Sequence, residues 1–482
     1  MGSRSRDGEM DKKPSGPSSG LSSGRSSGPA KAPAVPVDDA WFRPGSDTVT
    51  RGTGLSDDTS TAILLRRDIV ATAELRAIAP PVPALDPPRP DDVRDTATPV
   101  PARRGGRHAP RKAEPFRLKT KRRRRRSLAE VDVADMRITA LVPAHNEEDQ
   151  IGDTIDSLLA QIRPPERIIV IADNCSDRTV EIAHAKGVEV YETVENKHKK
   201  AGGLNQVLDR ILPTLGPRDA VLVMDADSTL GPEFLSHGLE RLATGLWGGV
   251  GGTFTGKPGG GFVGMLQRNE YARYVRDVQR LQGKALVLTG TATLFRAIAL
   301  QEVVEARRTR ELPGQPQVYD TRVLTEDNEL TLAILHLGLR IICPPKCTLE
   351  TEVMLTWRDL FNQRLRWKRG ALENLSDYGW TRVTRGYWGR QLLSLIGLLV
   401  IIIYLSSLLV AFVTTGRVNV QPVWMIVTAI FSLERAITVR SRGPLQMFLG
   451  ATIVVEMAFD LFLQAAQAKA FWDAMRKKER KW

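Results

Sequence analysis

Leu392–Val413 (LLSLIGLLVIIIYLSSLLVAFV) is a run of 22 residues without a charge. At 1.5 Å per residue it is long enough to cross a hydrocarbon layer of about 30 Å. This stretch constrains the fold more than any other, because it requires lipid or protein around it. Two weaker segments follow. Val423–Val439 carries Glu434 and Arg435, and Leu445–Phe471 carries Glu456 and Asp460 one helical turn apart. Carboxyls in a membrane are costly and face a partner or a water-filled space. Arg382, Arg385 and Arg390 precede the first span and RKKERK (Arg476–Lys481) ends the chain, so the positive-inside rule puts both flanks in the cytoplasm. An even number of crossings follows. Two spans plus a re-entrant or interfacial helix over 391–475 satisfy this better than three spans.

Upstream, from Met136, short apolar runs alternate with helical-period segments. Arg137–Val142, Arg167–Ala172, Val188–Tyr191 and Ala220–Met224 read as buried strands. Glu147–Gln161, Asp177–Lys186 and Ala201–Leu212 read as helices, the second closed by Gly187. This order predicts an α/β domain over 136–355 with a mostly parallel central sheet covered on both faces. Ligands bind such sheets at the carboxyl ends of the strands. Residues 356–390 form the helical passage to the membrane segments.

Residues 1–126 are rich in Ser, Gly, Pro, Ala and Asp and cannot bury enough apolar surface to offset the entropy of ordering, so a disordered tail is expected. Thr61–Ile78 is the one stretch there with helical character. No apolar stretch follows MGSRSRDGEMDKK, so no cleaved leader is expected. The chain's formal net charge is +13. Residues 101–126 hold 13 Lys/Arg against one acid, a net +12, and residues 127–482 are nearly neutral at +2. The basic character is one short block ending in KRRRRR (Lys121–Arg126). Three cysteines exclude a disulfide framework, and Cys343 and Cys347 read as reduced core thiols.

Each informative cluster lies just after an expected strand. VPAHNEE (Val142–Glu148) follows the first, ADNCSD (Ala172–Asp177) the second and MDADS (Met224–Ser228) the fourth. With Ala226 between them on a strand end, Asp225 and Asp227 are expected to point the same way. Two hard oxygen ligands so placed suit Mg²⁺ or Mn²⁺. Asp173 follows a buried strand, where its carboxylate can accept from a base-ring N–H. Lys200 in HKKAGGLN (His198–Asn205) stands at a helix start, which suits an anion. LTED (Leu324–Asp327) puts Glu326 and Asp327 at another helix start, and the expected Trp357–Leu375 helix contains QRLRW (Gln363–Trp367). The glycine-rich stretch Trp247–Gly261 reads as a flexible lid or surface turn. Tyr271–Leu281 reads as an interfacial helix or as core packing.

These motifs, in this order over residues 137–375 and followed by membrane segments, resemble the membrane-bound family 2 glycosyltransferases, which include cellulose, chitin, hyaluronan and poly-N-acetylglucosamine synthases. The resemblance implies a GT-A-like, Rossmann-type nucleotide-sugar-binding domain followed by transmembrane helices. It implies that Asp173 binds the uracil of a UDP-sugar, framed by Pro143 and Glu147. Asp225 and Asp227 would hold metal and diphosphate, with Lys200 and Asn205 as nucleotide or phosphate contacts. Asp327, with Glu326 beside it, matches the catalytic base. Gln363 and Arg366 would steady the diphosphate and Trp367 would lie under the acceptor sugar. Thr289 and Gly290, in TGTATLFR (Thr289–Arg296), match the acceptor-side loop.

The expectation is therefore an inverting, metal-dependent transferase of the cytoplasmic membrane. Its donor is UDP-N-acetylglucosamine or UDP-glucose, its acceptor a saccharide, and its product a polysaccharide. Few C-terminal segments are present to wall a channel, so export would call for partner membrane subunits. A second reading is single transfer to a polyprenyl phosphate or protein. A third, nucleic-acid binding through Lys121–Arg126, fits less well: an arginine run without interleaved aromatics has no stacking platform. No nucleic acid is expected as a partner. Membrane lipids are, since anionic headgroups attract each nearby Lys/Arg by roughly 1 kcal/mol.

Overall fold

The computed structural model describes residues 126–417 and 422–476. The expected disordered tail up to residue 125, its Thr61–Ile78 segment and the basic end beyond Arg476 lie outside the described residues.

Four strands build one half of the central sheet: β1 (Arg137–Ala144), β2 (Arg167–Ala172), β3 (Glu189–Glu192) and β4 (Asp219–Met224). All four run parallel, in the order β3-β2-β1-β4. Beyond β4 come β8 (Ala292–Arg296), antiparallel to both neighbours, then β6 (Trp247–Gly251) and β9 (Arg340–Ile342). A small sheet of β5 (Thr229–Leu230), β10 (Thr348–Thr351) and β7 (Thr253–Gly256) stands beside it. The mostly parallel α/β architecture is thus as expected, with strand boundaries within two residues.

The strands are apolar throughout because helices cover both faces. On one face Leu141, Ile169 and Val223 meet α3 (Lys199–Ile211), α6 (Ala297–Arg308) and α7 (Glu326–His336). On the other, Ile138, Val170 and Leu222 meet α1 (Ile151–Leu159) and α4 (Phe234–Ala243). α1 buries Ile151, Thr154, Ile155 and Leu158, and α3 buries Leu204, Val207, Leu208 and Ile211, each the i, i+3, i+4, i+7 stripe of an amphipathic helix. α2 (Thr179–Ala185) ends ahead of Gly187, whose φ of 72° is left-handed.

Trp247–Gly261 departs from expectation. It forms β6 and β7 and starts α5 (Gly261–Arg280), which takes in most of Tyr271–Leu281. The glycines answer to packing: a Cβ on Gly252 would lie 2.3 Å from Leu349 Cδ2 and 2.6 Å from Phe234 Cε2. Cys343 and Cys347 are free and fully buried.

α8 (Trp357–Tyr378) starts at Thr356, whose hydroxyl accepts from Asp359 N at 3.2 Å, and ends at Gly379, with φ 66°. α9 (Thr384–Thr415) follows and buries only Thr384. Leu393, Ile403 and Val413 are 67–74% exposed, and each such side chain left in water forgoes about 1.5–3 kcal/mol. Among the described residues α9 alone is one helix long and apolar enough to cross a bilayer; α11 (Pro444–Ala451) and α12 (Ile453–Met475) would make a second span only if taken together, and they are bent by 74°. α10 (Pro422–Thr438) precedes them. The carboxyls of these helices have found partners: Glu434 pairs with Arg276 of α5, Glu456 with Arg273 and Arg435, and Asp460 with Arg435.

Candidate active site

The ends of β1 and β2 build one wall. β1 pairs with β4 only as far as Leu141, while its pairing with β2 continues through Pro143 and Ala144. Proline has no N–H to give a further neighbour, so β1 and β4 part at the end where the functional loops begin. Asp173 follows β2, and its backbone N–H donates to Ala144 O at 2.8 Å. Its Oδ1 accepts from Thr193 Oγ1 at 2.8 Å, Asn196 Nδ2 at 2.8 Å and Asn174 Nδ2 at 2.9 Å. Oδ2 has no hydrogen-bond partner among the described residues, so a fixed carboxylate keeps one oxygen for a ligand. His145 Nδ1 donates to Asp173 O at 2.6 Å.

Lys200 is the second residue of α3 and donates to Asp225 Oδ1 and, at 3.2 Å, to Gly290 O. Burial would lower its pKa, but the carboxylates of Asp225, Glu326 and Asp327 hold it above the ordinary value, so it stays charged. The glycines after it serve packing. A Cβ on Gly202 would lie 2.1 Å from Asn196 Oδ1, so α3 can lie close to the residue that fixes Asp173.

Asp225–Asp227 is a turn rather than a strand end: Ser228 N donates to Asp225 O at 3.2 Å. The two-residue period therefore does not align these side chains, and the turn brings the carboxylates together instead. Burial first, then Asp225, pushes Asp227 up to about 6. Burial, then Asp227, Glu352 and Asp225, pushes Glu147 up to about 7. Asp227 Oδ1 accepts from Ser228 Oγ at 2.9 Å and Thr351 Oγ1 at 3.3 Å. Asp225 Oδ2 and Asp227 Oδ2 have no hydrogen-bond partner among the described residues. They are hard donors that fit Mg²⁺ or Mn²⁺. No group of three or more His, Cys, Asp or Glu among the described residues could enclose a cation, so further ligands would have to come from a bound diphosphate or water.

Glu326 and Asp327 open α7. Asp327 Oδ2 accepts from Gly290 N at 3.1 Å and its Oδ1 from Asn328 N at 2.7 Å. Burial raises both carboxyls above their ordinary range against the pull of Lys200, and Arg366 also acts on Glu326. Gly290 is the meeting point. A Cβ there would lie 2.8 Å from Lys200 Nζ and 3.8 Å from both Asp225 Oδ2 and Asp327 Oδ2. Cation, expected metal ligand and expected base converge on this one backbone position, where a side chain would have to displace the lysine ammonium. Thr289 Oγ1 lies 2.8 Å from Thr291 Oγ1 beside it.

On α8, Gln363 Oε1 accepts from Arg364, whose guanidinium lies 4.4 Å from the Trp367 ring centroid. Trp367 is 37% exposed, which leaves indole surface for a ligand. Asn205 is placed differently from its expected role. It is 2% exposed, and its amide donates to Tyr319 O at 2.8 Å while its Oδ1 accepts from Tyr319 N at 3.0 Å. Both ends are committed to a loop. That loop delivers Tyr319 to the pocket shared by Lys200, Gly290, Glu326 and Asp327. Tyr319, Asn196, Arg364 and Asn374 escaped sequence reading; only Arg364, inside QRLRW, carried a local signal.

Residues 136–370 match the family model described as "Glycosyltransferase like family 2". The poly-beta-1,6-N-acetyl-D-glucosamine synthase of Staphylococcus aureus (strain MSSA476) is 26% identical over 282 residues, 56% of this chain and 64% of the relative. That of Staphylococcus epidermidis is 25% identical over 286 residues, 57% of this chain and 65% of the relative. The chain thus spans just under two thirds of the length of these curated relatives. Among solved structures, the mannosyltransferase PcManGT from Pyrobaculum calidifontis, in complex with GDP-Man and Mn²⁺, has 17% identity and a TM-score of 0.48, covering 71% of this chain and 88% of that one.

Proposed function

Residues 136–370 being a family 2 glycosyltransferase domain, we propose that the protein is membrane-anchored and transfers a sugar from a UDP-sugar, UDP-N-acetylglucosamine foremost, to a saccharide hydroxyl with inversion. The observation that carries this reading is the convergence of Lys200, Asp225 and Asp327 on Gly290. The relatives named as poly-beta-1,6-N-acetyl-D-glucosamine synthases support the choice of donor and a polymeric product.

In this reading Asp173 Oδ2 accepts from the uracil ring N–H, and Pro143 and Glu147 frame the base and ribose. Thr289 and Gly290 line the acceptor side, and Trp367 stacks under the acceptor sugar. The acceptor oxygen attacks the anomeric carbon as the bond from that carbon to the diphosphate oxygen breaks. UDP leaves with the bonding pair, and the hydroxyl proton passes to Asp327. A carboxyl held above its ordinary range by burial is the better proton acceptor, worth typically 10²–10⁴-fold. Gly290 N–H and Asn328 N–H fix both of its oxygens. Glu326 keeps Lys200 and Arg366 close, and these cations, with Gln363, receive the charge that grows on the diphosphate. Mg²⁺ or Mn²⁺ held by Asp225 and Asp227 would supply further positive charge to the leaving group. Asn205 acts through Tyr319, outside direct contact with the nucleotide.

The test is UDP release from membranes holding the full chain, given labelled UDP-N-acetylglucosamine and Mn²⁺. Asp327→Asn and Asp225→Ala should each lower turnover by about 10²-fold or more. Wild-type turnover in either variant refutes the reading. Product sizing separates a saccharide ladder from single transfer to a polyprenyl phosphate.

A further inference from the structure

α5 carries Glu270, Arg273 and Arg276 at intervals of three residues, so the three lie along one side of the helix. They serve three different helices. Glu270 Oε2 accepts from Arg364 Nη2 at 2.7 Å, and Arg364, 2% exposed, covers one side of the Trp367 ring. Arg273 donates to Glu456 Oε2 at 2.5 Å and Arg276 to Glu434. The same Glu456 oxygen accepts from Arg435 at 2.7 Å, and Arg435 also donates to Asp460 at 2.7 Å. Glu456 is 1% exposed. One helix therefore bonds to the residue stacked on Trp367 and, one and two turns on, to α12 and α10.

Apolar side chains could have glued these helices together, as they do nearby, where Trp357 of α8 packs 5.0 Å from Phe462 of α12, centroid to centroid. Buried ion pairs are poor glue but directional, holding one register against its neighbours. The donor-side groups lie off this path. Asp173 is held by Asn174, Thr193 and Asn196, and Lys200 by Asp225 and Gly290.

We propose that this ion-pair path through α5 makes acceptor transfer depend on the C-terminal helices: Arg364 and Glu270 are positioning residues that set the Trp367 indole, and Glu456 anchors the helix that carries Glu270. The inference rests on Trp367 being the acceptor platform. Seating of α10 and α12 on α5 then governs whether the sugar reaches the saccharide, while donor binding proceeds without it.

The test uses the full chain in lipid nanodiscs with UDP-N-acetylglucosamine and an N-acetylglucosamine oligosaccharide. UDP release is measured with and without the acceptor. Glu270→Gln and Glu456→Gln should each cut acceptor-dependent transfer by about tenfold or more while donor KM and acceptor-free UDP release stay within about twofold. The double exchange Glu270→Arg with Arg364→Glu should recover part of the transfer lost in Glu270→Gln. Parallel loss of transfer, donor KM and acceptor-free release in every variant overturns the proposal, as does wild-type transfer in both single variants. Absence of UDP release in the wild type overturns the functional reading itself, a result distinct from either.

Discussion

Asn374 donates its side-chain amide to the carbonyl of Thr325 at 3.0 Å, across 49 residues of chain, and so fastens α8 to the turn that presents Glu326 and Asp327. Gly370, one turn earlier, permits the approach: a Cβ there would lie 2.4 Å from Thr325 Oγ1. Gly370→Ala should therefore push the turn away from α8, with an overpacking cost of about 1–3 kcal/mol. Turnover should fall while donor KM changes little, because Asp173 is held elsewhere. Thermal melting and UDP-release kinetics on the same preparation check both parts.

Asn205→Ala should act as a structural lesion. It leaves the buried N–H and C=O of Tyr319 without their partner, a loss of about 1–3 kcal/mol of stability. Donor KM should change less than in Asp173→Ala. A direct nucleotide contact would show the reverse pattern: near wild-type melting and a large rise in donor KM.

Asp173→Ala should weaken UDP binding, since a hydrogen bond to a charged group contributes about 1.5–3 kcal/mol, or roughly 10- to 150-fold. It should also reduce discrimination between uracil and other bases. Isothermal titration with UDP, CDP and GDP measures both. Equal loss for all three nucleotides would place Asp173 outside base recognition.

His336 carries a pH dependence of stability. Burial lowers its pKa below the ordinary 6.5, and the neutral ring donates from Nδ1 to Leu332 O while Nε2 accepts from Thr381. Because the folded pKa is the lower one, protons bind more readily to the unfolded chain. The contribution is complete above pH 6.5 and is lost as pH falls toward the folded value. Melting temperature should drop through this window, and His336→Gln should flatten the slope. An unchanged slope in that variant would assign the effect to other groups.

Much of this arrangement was legible because it is local. β1, β2 and β4 are buried on both faces and read as continuous apolar runs, and α1 and α3 show their stripe. Asp173, Asp225 and Asp327 stand just past strands or at a helix start, where sequence order alone locates them. What was not legible depends on distant neighbours. Trp247–Gly261 looked like a loop because most of its glycines answer to side chains distant in sequence, Ile334 and Leu339 against Gly248 and Leu349 and Phe234 against Gly252, which pack where a Cβ would be. Asn205 gave no local sign that its amide is bonded to Tyr319, 114 residues away. Glu434 and Glu456 have the partners expected of them, but the sequence did not identify these partners, since Arg276 and Arg273 lie more than 150 residues upstream.

The length of α9 has a last consequence. Its 32 residues extend about 48 Å, some 18 Å more than a hydrocarbon layer needs. Thr384–Gln391, ahead of the uncharged run, accounts for about 12 Å of the excess, roughly twice the thickness of one headgroup layer. In the proposed anchored state this is a short, stiff leash with only Gly379–Val383 between it and α8. The catalytic domain then rides at a fixed height against the lipid surface. What it can glycosylate is then restricted by altitude before chemistry: an acceptor must present its hydroxyl at that height, whether held there by lipid or by the growing product.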